Sequence, residues 1–220
     1  LMPLKAQGGG PWGGGGGNAG GPWGNGGGGN SFGGGGQRPQ PPDIEEMLPQ
    51  SGMRNVEVCY IADNPILDGR NAAYSDGAIY MKLAEPTNDD MIENFVHEVA
   101  HAVESDDPYF IYDERMHMEF IGKRKRLYHL LQAEGYEQMP ARVYANTEYN
   151  EAFDNFLANV VGYPTLLNLT MGLFCSPYGA TSIQEYFANG FEKYFTESPE
   201  FVKSVSPVLY QKVVAVLNDE

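Results

Sequence analysis

The stretch able to do chemistry is His97-Glu98-Val99-Ala100-His101, an H-E-x-x-H motif inside a segment that reads as a helix from Asn88 to Glu104. On a helix, positions i and i+4 lie one above the other on one face. Two imidazoles at this spacing can therefore reach a single metal ion while Glu98 projects beside them. That makes two ligands and a general base. A hydrolytic zinc ion takes three protein ligands and keeps a fourth position open for water, so the motif requires a further His, Asp or Glu from elsewhere in the chain. The plain alternative is a pair of solvent-facing histidines.

The local sequence supports the helix. Thr87 or Asn88 can cap it, Asp89 and Asp90 sit in the first turn where the helix dipole favours carboxylates, and Ile92, Phe95, Val96, Val99 and Val103 form an apolar stripe flanked by the histidines. Ahead of it, Val56 to Ile61 reads as a strand, rich in β-branched and aromatic residues. Ala72 to Ser75 and Ala78 to Leu83 flank Asp76-Gly77, a pair suited to the positive φ values of a two-residue hairpin turn. The second strand leads through Pro86 into the motif helix, and the edge of such a hairpin can take an extended peptide as an added strand.

A third ligand is sought downstream. After Pro108 the pattern is helical, from Asp113 to about Glu134 with a stop at Gly135, and from Thr147 to about Val161 with a stop at Gly162. His117 and His129 on the first of these have no second ligand at i±4 and read as surface or partly packed residues. Lys123-Arg124-Lys125-Arg126 wraps around that helix and reads as a solvated surface. Ser176 to Ser182 reads as an irregular loop and Ile183 to Phe195 as a helix. Glu185 in it has two readings: one half of a Ser182-x-x-Glu185 capping box, or the third metal ligand. Glu148 and Glu151 are the other candidate ligands. Cys59 and Cys175 lack metal or redox spacing and read as two reduced, packed thiols, with one disulfide as the alternative in an oxidising compartment.

Composition divides the chain. Nineteen glycines lie between Gly8 and Gly36, and Gly-Gly-Pro-Trp-Gly occurs twice, so residues 1–42 cannot bury enough surface to offset backbone entropy and read as a disordered tail. Residues 43–220 have the composition of one folded domain. All 29 acidic residues lie in that part with all but two of the 14 Lys and Arg, so its charge is more negative than the −15 of the whole chain. Such a field repels nucleic acid and anionic membranes. No apolar run of membrane-spanning length occurs, and Leu1-Met2-Pro3-Leu4-Lys5 does not read as a secretory leader.

The pairing of the H-E-x-x-H motif with Tyr178 and with Glu185-Tyr186-Phe187-Ala188-Asn189-Gly190-Phe191 resembles the gluzincin metallopeptidases of the anthrax lethal factor type, which include the clostridial Pro-Pro endopeptidases. In that family a tyrosine is followed seven residues later by a glutamate in an E-F-F-A-E-x-F pattern, and Tyr178 to Glu185 is the same interval. The resemblance runs from near Tyr74 to near Phe195, broken by a longer segment between His101 and Tyr178. It implies a zincin-like α+β domain, mostly helical, with a small sheet beside the motif helix. It further implies a Zn²⁺ cofactor held by His97, His101 and Glu185, with Glu98 as general base and Tyr178 as the hydroxyl that stabilises the oxyanion. The family's glutamate one turn after the ligand, which would buttress a zinc-bound histidine from behind, is Asn189 here.

The expected function is therefore peptide-bond hydrolysis on a peptide or protein substrate, with no nucleic acid partner and no membrane span. The alternative is a zinc-binding interaction module that keeps the scaffold without turnover. The default compartment is cytoplasmic, although the family resembled is often secreted.

Overall fold

The computed structural model describes residues 47–48, 50–67, 69–83 and 87–218; the glycine-rich tail and the link through Pro86 lie outside them. It is an α+β fold, mostly helical, with one three-stranded sheet. The strands are β1 (Val58–Ile61), β2 (Ala72–Ser75) and β3 (Ala78–Met81), in the order β1-β3-β2. The hairpin forms where expected, because Asp76 (φ 47°) and Gly77 (φ 83°) both adopt the left-handed backbone of a tight turn. β3 then pairs in parallel with β1, with Val58 opposite Ala78 and Ile61 opposite Met81.

The motif helix spans Asn88–Glu104, the bounds expected from the sequence. Thr87 caps it, its hydroxyl oxygen accepting the Asp90 N–H at 3.1 Å. Its apolar stripe packs on β2 and β3 on one side and on the helix Ile183–Thr196 on the other, which we call the Glu185 helix. The shared core includes Ile79, Met81, Val96, Val99, Phe187 and Phe191. Close approach at the far side of the Glu185 helix depends on Gly190: a Cβ there would stand 2.1 Å from Leu209 on the terminal helix Pro207–Leu217.

The segment between His101 and Tyr178 is helical, with helices at Pro108–Ile111, Glu114–Ala133, Ala141–Tyr144, Glu151–Asn155 and Tyr163–Thr170. Two expectations change here. The helix expected from Thr147 starts at Glu151, since Asn150 outcompetes Thr147 as cap by accepting the Phe153 N–H at 2.9 Å, and from Phe156 to Gly162 it widens into a π-helix. The Lys123–Arg126 run is not a solvated surface throughout. Arg124 is fully buried, its guanidinium donating to the carbonyls of Thr181 (3.2 Å) and Val143 (2.9 Å) over the Phe153 ring. Lys123 donates to the carbonyls of Leu173 (2.6 Å) and Val205 (2.7 Å). Both cations serve carbonyls of loops and helix ends, where the helix ladder leaves acceptors over.

Cys175 is half-buried, and burial pushes its thiol up to about 11. Cys59, expected to be packed, is instead exposed on the outer strand β1. Because the thiolate is the reactive form, a pKa raised to about 11 leaves Cys175 unreactive through neutral pH. A maleimide at pH 7 should therefore label Cys59 alone in the native protein and both thiols in urea, as mass spectrometry would read. Gly190→Ala should destabilise the fold by about 1–3 kcal/mol in urea titrations, because Leu209 must be displaced.

Candidate metal centre

The crossing of the motif helix and the Glu185 helix brings three of the expected residues together. One nitrogen from each of His97 and His101 and one carboxylate oxygen of Glu185 lie within 4.8 Å of one another, a donor set of the kind that holds a metal ion. His97 Nε2 is 3.1 Å from Glu185 Oε2, and His101 Nε2 is 3.9 Å from Glu185 Oε1. The two readings of Glu185 are both partly realised. Ser182 caps the helix by accepting the Glu185 N–H at 3.2 Å, while the Glu185 carboxylate points away from the cap toward the histidines. The histidines are thus not a solvent-facing pair. Glu148 and Glu151 are exposed and stand outside the group, as do His117 and His129.

Each outer imidazole nitrogen also meets a carboxylate. His97 Nδ1 is 3.1 Å from Glu192 Oε2, and His101 Nδ1 is 3.3 Å from Glu104 Oε1. With Nδ1–H donated outward, both Nε2 lone pairs face inward, the tautomer a metal-binding histidine requires. Glu192 is itself paired with Lys193 at 2.9 Å. Burial opposes charge on His97 and His101, but hydrogen bonds to the Glu185 and Glu192 carboxylates raise His97 well above the ordinary imidazole range, and Glu104 raises His101 to about 9. Protons and a metal ion thus compete for the same two nitrogens.

Asn189 is not where the resemblance puts it. Its Oδ1 accepts from the Ser176 hydroxyl and its Nδ2 donates to the Glu185 carbonyl at 2.8 Å, so it holds the loop carrying Tyr178. The residue on the histidine is Glu192, seven positions after Glu185 instead of four. Seven residues is almost two full turns and returns to the Glu185 face, so the signal was present as i+7 spacing but lacked a motif. Glu104, at i+3 from His101, was likewise missed.

Tyr178 opens a single 3₁₀ turn, Tyr178–Ala180, and hydrogen-bonds the Glu185 carboxylate. Burial first, and then the Glu185 charge, push its pKa up, so the phenol keeps its proton at neutral pH. Glu98 is buried next to His97 in the motif helix, its Oε2 accepting the Tyr74 N–H of β2 at 2.7 Å. This fixes the carboxylate between the motif helix and the strand, and it uses a β2 edge donor that an added peptide strand would otherwise take. Among the described residues no helix is long and apolar enough to cross a membrane.

Set against known proteins, the chain matches no family model, and neither a curated protein nor a solved structure matches it.

Replacing Glu192 should therefore loosen the metal centre and replacing Asn189 should not. In a chelator competition, Glu192→Ala should weaken metal binding about tenfold or more, while Asn189→Ala should leave it within about twofold.

Proposed function

We propose that the protein is a zinc-dependent peptidase whose metal is held by His97, His101 and Glu185. The observation that carries the reading is the convergence of two imidazole Nε2 atoms and one carboxylate beside a buried glutamate and a half-buried phenol. Two donors about 2.1 Å from a tetrahedral ion stand roughly 3.4 Å apart, and the 3.1 and 3.9 Å from the two imidazoles to the two oxygens of Glu185 bracket that value. Mixed nitrogen and oxygen donors with three protein ligands suit a hydrolytic zinc site, and a zinc ion bound there would lower the pKa of a water and polarise a carbonyl.

The chain's own residues supply the rest of the chemistry. Glu98, adjacent in sequence to the first ligand and held by Tyr74, accepts the proton of the attacking water at its carboxylate and later passes it to the leaving amine. Tyr178, protonated at neutral pH, donates its hydroxyl to the oxyanion that forms on the attacked carbonyl. Glu104 and Glu192 hold the two imidazoles in the tautomer that leaves Nε2 free. The negative domain favours neutral or basic peptides over acidic ones.

The test combines metal analysis of purified protein with cleavage of a peptide library. Wild type should carry one zinc and cut; Glu98→Ala should keep the zinc and lose cleavage; Tyr178→Phe should keep the zinc and lower kcat by about tenfold to a thousandfold. Zinc without any cleavage would support a binding module on the same scaffold, and protein free of zinc under all loading conditions would remove both.

A further inference from the structure

The long segment between His101 and Tyr178 has one contact that reaches both arms of the metal centre. Tyr112 directly follows the short helix Pro108–Ile111, its N–H bonded to the Pro108 carbonyl at 2.9 Å. Its hydroxyl donates to Glu104 Oε2, and the other oxygen of that carboxylate, Oε1, faces His101 Nδ1. Its ring meets Phe187 edge to face, with centroids 6.3 Å apart and planes at 84°. Phe187 is fully buried on the Glu185 helix, two residues past the third ligand.

Glu104 needs such a partner for an electrostatic reason. It is the last residue of the motif helix, where the dipole and unpaired carbonyls disfavour an anion, and Asp106 and Asp107 follow it. Glu192, the equivalent carboxylate on His97, has Lys193 to balance it. The donors on Glu104 are a phenol and the His101 imidazole. Without the phenol, a carboxylate at a helix end gains by turning out to water, and His101 would lose the acceptor that fixes its ring.

We propose that Tyr112 is a positioning residue for the metal centre, its hydroxyl keeping Glu104 on the outer nitrogen of His101 while its ring braces the helix that carries Glu185. The inference rests on the reading that His97, His101 and Glu185 hold a metal. It gives the segment between His101 and Tyr178 a part in metal retention.

The experiment measures zinc affinity of the full chain by competition with a chromophoric chelator, alongside the Tm of chelator-stripped protein. Tyr112→Phe keeps the ring and removes only the hydroxyl. It should weaken zinc binding about tenfold or more while moving the stripped Tm by less than about 2 °C. Glu104→Gln should show a loss at least as large, and the double variant Tyr112→Phe/Glu104→Gln should bind no more weakly than Glu104→Gln alone, since the hydroxyl acts through the carboxylate. Unchanged affinity in Tyr112→Phe, losses that add in the double variant, or a fall in stripped Tm that accounts for the weaker binding would each overturn the proposal while leaving the metal centre standing. Wild type that binds no zinc, or His101→Ala that binds it as tightly, would bring down the metal centre and this proposal together.

Discussion

The site depends on one carboxylate buried between two imidazoles where two helices cross. An isolated ionised carboxylate in an apolar interior costs several kcal/mol, and Glu185 sits within a core that includes Val99, Phe187 and Phe191. His97 and His101 offset that cost, and their charges together with the His97 and Tyr178 hydrogen bonds bring the Glu185 pKa below its ordinary value although burial works the other way. The helix crossing and the polar cluster are therefore not separable features. The apolar stripe of the motif helix sets the distance at which the two helices meet, and at that distance the histidines and Glu185 are forced to answer one another.

Balance extends outward from that point. A chain of hydrogen bonds and ion pairs, Tyr112, Glu104, His101, Glu185, His97, Glu192, Lys193, runs through the crossing, its His101–Glu185 link an ion-pair contact at 3.9 Å. Three carboxylates in it face one ammonium, so with neutral imidazoles the cluster carries excess negative charge. Protons on both histidines would offset it, and so would a divalent cation at the inner nitrogens. This is the electrostatic condition under which a metal displaces protons, and it is built into the crossing itself.

What the sequence made legible was local. The Thr87 cap, the 3.6-residue apolar period and the i, i+4 histidines all belong to one helix, and the Asp76-Gly77 turn sets the hairpin register between Ala72 and Met81, so the reading and the structure agree there. Glu185 was one candidate ligand among several until a family pattern singled it out, and no comparison supports that family, yet the geometry brings the residue to the histidines. Glu192, Glu104 and Tyr112 stayed hidden because a carboxylate's partner is set by tertiary packing and a charged residue on a helix reads as solvated by default. Arg124 misled for the same reason: nothing in Lys-Arg-Lys-Arg marks which cation faces inward, and its burial depends on carbonyls at Thr181 and Val143 that no local pattern announces.

Asn189 shows how one side chain can set the division of labour on a helix. A glutamate at that position, in the pattern the sequence resembles, would aim a charge at a ligand histidine. Here the carboxamide bonds Ser176 with its oxygen and the Glu185 carbonyl with its nitrogen, a pair of opposite demands that a carboxylate, which only accepts, cannot meet. The Ser176 hydroxyl in turn accepts the Gly179 N–H at 3.4 Å, and Arg124 holds the Thr181 carbonyl on the far side of the same turn. Tyr178 is thereby fixed from both flanks by residues that do not touch either histidine. The charge on the outer nitrogen of His97 then falls to Glu192, three residues further along the helix and on the face that looks back at the motif helix.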